Sequence, residues 1–227
     1  DNMESPTTHK FEAFNEISED QVLEYILGIP PSKSTYDLIP PKVYRCIISK
    51  IIKPFTHIVN LSLETGIIPD MFKIAMVTPI FKTGDREDPG NYRPISILPM
   101  LGKTIEYFAN EQLTNYIRDN DILSQHQYGF RKNYSTTFLM LDLFDKTYTA
   151  KSKSRKPGII FLDIKKAFDT VNHNILLQKL KHYGIEGIVI KWLKSFLTNR
   201  WQQTKIGNSI SNHAAITCGV PQGSILG

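Results

Sequence analysis

Two stretches of this chain constrain it most: residues 161–169, Phe161-Leu162-Asp163-Ile164-Lys165-Lys166-Ala167-Phe168-Asp169, and residues 219–224, Gly219-Val220-Pro221-Gln222-Gly223-Ser224. The first closes the apolar run Ile159-Ile160-Phe161-Leu162 with a carboxylate. A short apolar run rich in β-formers and broken by polar residues predicts a buried strand over 158–162, with Asp163 held at a cleft edge. The second stretch is a loop punctuated by Gly and Pro, whose glycines let a ligand or another backbone come close.

Around these stretches the sequence alternates between helical and strand periods. Ser18-Glu19-Asp20-Gln21 has the form of a capping box, and Ile17 with Val22 has staple spacing, so a helix should run to about Leu27. Four prolines between 30 and 41 predict an extended segment. Val43, Tyr44, Ile47, Ile48, Ile51 and Ile52 then repeat at helical spacing. Pro54 should break that helix, and Phe55, Ile58, Val59 and Ser62 restart it until Gly66. Residues 74–81 and 91–98 read as a strand and its return, joined by a polar loop. Residues 101–117 are amphipathic, with Ile105, Phe108, Leu113, Tyr116 and Ile117 as the core stripe. Ser135 should cap a helix through Tyr148, and residues 146–156, with five bases and no acid, read as a solvated basic loop. Two further helices carry Leu176, Leu177, Leu180 and Tyr183, then Ile188, Trp192 and Phe196. A hairpin follows over 201–216, turning at Gly207-Asn208. Thr170-Val171-Asn172-His173 leads into a helix, which assigns Asp169 to a cap or a local hydrogen-bond acceptor and not to a metal.

Charge is distributed unevenly. The chain has 227 residues, net charge +5 and a pI near 9.0. Residues 1–40 hold eight acids and two lysines, so the remaining 25 bases and 14 acids give a body of +11. A basic body behind an acidic leader points to a polyanion partner, although solubility alone accounts for many such surpluses. Cys46 and Cys218 have no metal-ligand spacing and read as free thiols in a reducing compartment. No apolar run reaches the ~20 residues of a membrane span.

In their order and identity, the two opening motifs resemble the first two palm motifs of reverse transcriptases, in the version of non-LTR (LINE-like, jockey-type) retrotransposons. The resemblance runs from about residue 17 to the end of the chain. It extends to Lys82 after Pro79-Ile80-Phe81, to Arg93 in Asn91-Tyr92-Arg93-Pro94-Ile95-Ser96, and to Gln127-Tyr128-Gly129-Phe130-Arg131. The implied fold is α+β, a partial right-hand polymerase. Its divisions would be a leader (1–16), a helical N-terminal extension (17–70), fingers (71–156) and the first half of a palm (157–227). The implied activity is RNA-directed DNA synthesis with two Mg²⁺ ions, or Mn²⁺, about 3.5–4 Å apart. Asp163 and the Ile164 carbonyl would ligate metal. Lys82 and Arg93 would grip the nucleotide phosphates, a point charge and a fork suited to them. Phe168 would abut the nucleotide sugar and exclude a 2′-hydroxyl, with a core aromatic as the alternative. Gln222 would lie against the templating base pair, Gly223 would admit the template backbone, and Arg131 is a phosphate-contact candidate. RNA template, DNA primer and dNTPs are the implied partners, in a ribonucleoprotein of nucleus and cytoplasm.

There are departures from the family pattern. Residues 32–37 lack the Pro-Gly that usually precedes such an Asp, which weakens a template-loop role there. The sequence begins without Met, ends within the second motif and contains no adjacent Asp-Asp pair, so it reads as a fragment expected to be inactive alone. A catalytically dead nucleic-acid-binding remnant is the rival. A phosphate-handling hydrolase built on Asp163 and Asp169 would leave residues 219–227 and the Arg93 segment without a role.

Overall fold

The structure, a computed structural model, describes residues 9–30, 35–36 and 39–227. The expected extended segment over 30–41 falls half outside the described residues, and the departure at 32–37 falls largely outside them. The elements form two compact units, one of Asp1–Tyr116 with Lys166–Gly227 and the other of Ile117–Lys165. The mixture of helices and a sheet bears out the α+β class.

In the first unit, helix α1 (Glu19–Gly28) starts where its capping box places it. Ser18 accepts the Gln21 N–H, and the Gln21 side chain accepts the Ser18 N–H. Ile17 and Val22 are both buried, as the staple requires. Helix α2 (Pro41–Thr65) corrects the expected break, because it passes through Pro54 without interruption. Pro54 withdraws one N–H from the carbonyl of Lys50, and both residues are exposed, so water can satisfy that carbonyl. Buried Ile48 on one side and Phe55, Val59 and Leu63 on the other hold the two halves on one face. Gly66 ends the helix at φ 70°, a left-handed cap.

Strand β1 (Ile74–Phe81) pairs antiparallel with β2 (Tyr92–Ile97), as the pattern predicts. On its other edge β1 pairs in parallel with β3 (Arg200–Ile206), which the sequence does not reveal. Strands β4 (Ser209–Ile210) and β5 (Ala214–Ile216) both return antiparallel to β3. The sheet thus draws strands from both the stretch assigned to fingers and the stretch assigned to palm.

Helix α3 begins in this unit (Met100–Asp119) and buries Ile105 and Phe108. Downstream, α5 (His173–His182) and α6 (Gly187–Leu197) follow. The core joins Val22, Ile26, Val59, Phe108 and Trp192, and the Trp192 indole N–H donates to Ser62 Oγ at 3.2 Å. Within residues 9–16, part of the expected leader, Phe11 and Phe14 are partly buried against this core. Phe11 bridges Ile185 and stacks on Tyr116, and Phe14 meets Trp192 edge-on.

The second unit is thinly packed. Helix α4 (Thr136–Ser152) is capped by Ser135 as expected but continues four residues past Tyr148. Lys151 therefore lies on the helix and not in a loop, and Lys146, inside the expected helix, pairs with Asp142 at 2.6 Å. The predicted strand over 158–162 is absent. Ile160, Phe161 and Leu162 are 86%, 83% and 91% exposed. A strand is defined by its ladder, and no described strand pairs with this run, so its β propensity goes unused. No helix among the described residues is long and apolar enough to cross a membrane.

Candidate nucleotide and metal site

The 219–224 loop is held in place by the turn that follows Phe168. Leaving β5, the chain crosses the face of the sheet that carries Pro94, Ser96 and Gln202, and it encloses with Asp169 a cavity of about 330 Å³. The loop reaches the free edge of β2, where the Ser96 N–H donates to the Gln222 carbonyl at 2.7 Å. Gly219 N–H donates to the Val171 carbonyl at 2.8 Å, and Val220 N–H donates to the Phe168 carbonyl at 2.9 Å. His173 Nε2 lies 2.7 Å from the Gly219 carbonyl, so in this pair the ring nitrogen is the donor.

Both glycines of the loop are required by their surroundings. Gly219 has φ 81°, and a Cβ there would sit 2.8 Å from the Asp169 carbonyl oxygen. Gly223 has φ 97°, with Ile95 Cγ2 and Ser96 O each 3.2 Å from the place of a Cβ. The close neighbour that demands Gly223 is therefore β2 of the same chain.

Gln222 Nε2 donates to Asp169 Oδ1 at 2.7 Å. A carboxylate accepts only, so this bond fixes the amide with its Oε1 turned away from Asp169 and able to accept from a ligand. Asp169 is thus the acceptor that the sequence suggested, but across 53 residues and not locally. The cap of α5 is Asn172, whose side chain accepts from Asn174 and Ile175. Phe168 is 37% exposed and does not join the buried core cluster.

Lys82 and Arg93 stand at the other end of β2. Lys82 is exposed, and its N–H closes the loop by donating to the Asn91 carbonyl at 2.9 Å. Arg93 is exposed, opposite Ile80 in the ladder. Strand alternation places Arg93 on the opposite face from Pro94 and Ser96, so the register does not bring it into the Gln222 cavity. Arg131 is occupied within its own loop: Nη1 donates to the Ser124 carbonyl at 2.8 Å, and the guanidinium lies 4.2 Å from the Tyr134 ring centre.

Asp163 and Ile164 are exposed in the irregular segment that closes the second unit. An exposed carboxylate beside a main-chain carbonyl is a suitable oxygen pair for a hard cation. Among the described residues no three His, Cys, Asp or Glu side chains gather as a metal-holding group. The pair fits a share of a two-ion site and not the whole of it.

Sequence reasoning missed Glu106 and Arg200. Glu106, on α3, is 3% exposed, and its Oε2 accepts the Ile225 N–H at 2.9 Å. Burial pushes its carboxyl up to about 7, opposed by the Ile225 bond and by the charges of Arg200 and Lys103. Arg200 is buried at the start of β3. Its Nη1 donates to the Phe196 carbonyl, and its Nε and Nη2 meet no protein acceptor. Periodicity marks Glu106 only as a polar residue beside a core stripe, and nothing local signals its burial.

A carboxyl raised from 4.5 to about 7 binds more protons folded than unfolded between those values. Stability should therefore fall as pH rises through this window, by up to ~3 kcal/mol. Glu106→Gln should lose that slope. Urea denaturation at about pH 5 and about pH 8 should show the variant gaining on the wild type at the higher pH. An equal difference at both would mean that Glu106 does not titrate there.

Comparison with known proteins bears on the whole arrangement. Residues 80–227 match the family described as reverse transcriptase (RNA-dependent DNA polymerase). A probable RNA-directed DNA polymerase from transposon BS of Drosophila melanogaster is 31% identical over 93% of this chain. The corresponding proteins of the X-element and of mobile element jockey from the same organism are each 30% identical, over 91% and 93% of this chain. The chain spans 23% of the length of each of these relatives.

Proposed function

Because this chain belongs to the reverse transcriptase family, we propose that it forms part of an RNA-directed DNA polymerase of a non-LTR retrotransposon, extending a DNA primer on an RNA template with dNTPs. The observation that carries this role is the bonding of the turn after Phe168 to the 219–224 loop, which ties the Phe168 backbone to Val220 and fixes the Gln222 amide on Asp169, 53 residues away.

In this proposal 17–70 is a helical N-terminal extension behind a leader, 71–156 the fingers, and 157–227 the opening half of a palm. Asp163 and the Ile164 carbonyl would hold Mg²⁺, or Mn²⁺ in its place. The bound ion would supply positive charge to the triphosphate and lower the pKa of the primer hydroxyl. Lys82, and Arg93 from the face of β2 away from the Gln222 cavity, are the groups proposed to hold the phosphates. Phe168 bars a 2′-hydroxyl, and Gln222 accepts from the nucleotide through Oε1. Gly223 and Arg131 border template and primer. Phosphoryl transfer asks little of a protein beyond position and charge, which is what these groups supply.

Duplex binding should rest on phosphate contacts, since the basic body offers no evident base-reading motif. Affinity for an RNA–DNA duplex should fall more than ~tenfold between about 50 and about 200 mM salt, with each phosphate contact adding roughly 0.7–0.9 to the log–log slope. Changing Lys151, Lys153, Arg155 and Lys156 to Gln should lower that slope by up to ~3. Lys146 is spared because it already pairs with Asp142. Affinity that is flat with salt, or a variant that binds as the wild type does, would reduce the basic run to a solvated surface.

A further inference from the structure

Glu106 is a buried carboxylate without an assigned role, and it touches the loop that carries Gln222. Its Oε2 accepts the Ile225 N–H at 2.9 Å, and the Leu226 N–H also favours its charged form. Ile225 lies three residues beyond Gln222 and two beyond Gly223. The near end of the loop is bound to the Phe168 turn through Gly219, Val220 and His173, and the middle is bound to β2 through the Gln222 carbonyl. Beyond Gly223 the backbone has no strand or helix to satisfy it: Ser224 N–H turns back to the Pro221 carbonyl, and Ile225 N–H is left to Glu106.

We propose that Glu106 is a positioning residue for the nucleotide site, fixing the far end of the 219–224 loop so that Gln222 and Gly223 keep their place against β2, an inference that rests on the nucleotide-side role given to Gln222. A side chain from α3 suits this task because α3 is itself anchored in the core by Ile105 and Phe108, both essentially unexposed. The carboxylate thus carries the position of the core to a loop that has no ladder of its own. The titratable groups facing Glu106 are Lys103 from its own helix, Arg200 from β3 and the neutral Tyr25 hydroxyl from α1, whose own ionisation its charge opposes. The two cations keep a buried acid tolerable where an apolar residue would leave the Ile225 N–H without an acceptor.

The test uses a full-length polymerase containing this chain, with single-nucleotide incorporation on an RNA template. Glu106→Ala should raise the KM for dNTP about tenfold, the equivalent of one hydrogen bond to a charged group, with kcat changed by less than about threefold. Glu106→Gln should hold KM within about threefold of wild type, because the amide oxygen accepts the same N–H. Glu106→Asp keeps the charge but withdraws the oxygen by one methylene, so it should raise KM as Ala does, and it serves if Ala does not fold. Ile105→Ala, a core truncation one residue away, should lower the melting temperature and leave KM alone. Hydrogen exchange should quicken about tenfold or more at Ile225 in the Ala or Asp variant.

If Ile105→Ala raises KM as much as Glu106→Ala at matched stability, or if both Ala and Asp leave KM and the Ile225 amide unchanged, Glu106 is a structural acid only. These outcomes leave the site assignment standing as long as Gln222→Ala still raises the KM for dNTP. A Gln222→Ala variant with the wild-type KM would instead sink the nucleotide-side role of Gln222 on which the inference rests.

Discussion

Replacing Asp163 with Asn in a polymerase containing this chain should cut RNA-templated primer extension about a thousandfold or more, while affinity for primer–template stays within about threefold. The magnitude follows from removing a negative ligand from a metal whose charge lowers the barrier by several kcal/mol. The small effect on binding follows from its surroundings: Asp163 is exposed in an irregular segment, so the change removes no buried contact. Extension is read by gel and binding by fluorescence anisotropy, under the same salt. A variant that keeps a tenth or more of the wild-type rate would show that Asp163 is not the metal ligand. A wild type that binds duplex but extends nothing, with every motif intact, would favour the nucleic-acid-binding remnant.

Phe168→Ala should open the same polymerase to ribonucleotides. The ratio of kcat/KM for dNTP over NTP should fall by roughly 10- to 100-fold, because a pocket wall of several carbons separates substrates by no more than a few kcal/mol. The residue is 37% exposed, so truncation removes a ring that is only partly covered, and the backbone bond from Val220 to the Phe168 carbonyl survives any side-chain change. The loop therefore keeps its place, and the readout isolates the ring. An unchanged ratio accompanied by a lower melting temperature would assign Phe168 to packing.

Legibility followed the range of the interactions involved. The α1 capping box, the Ser135 cap and the Gly66 stop are set by contacts within a few residues, the β1–β2 return pairs two runs that are each marked by their own strand pattern, and all were readable from spacing. Two failures share one cause. Pro54 read as a breaker because local chemistry says so, yet buried Phe55, Val59 and Leu63 keep α2 whole across the lost hydrogen bond. Residues 158–162 read as a strand because their propensity says so, yet propensity without a partner edge makes no ladder.

The sequence by itself determined the family, the helical and strand periods, and the residue types of the candidate site: an acid after an apolar run, a bulky ring five residues on, and a Gly-bounded Gln. These are properties of neighbours along the chain, and the identity of the side chains carries them. Only the tertiary structure decided that β3 lies parallel to β1, that Asp169 orients Gln222, that Arg93 takes the opposite face of β2 from the cavity, and that Glu106 is buried beneath Ile225. Each of these joins residues from about 10 to more than 100 positions apart. Such pairings depend on which faces the collapsed core brings together, and no single segment encodes that choice.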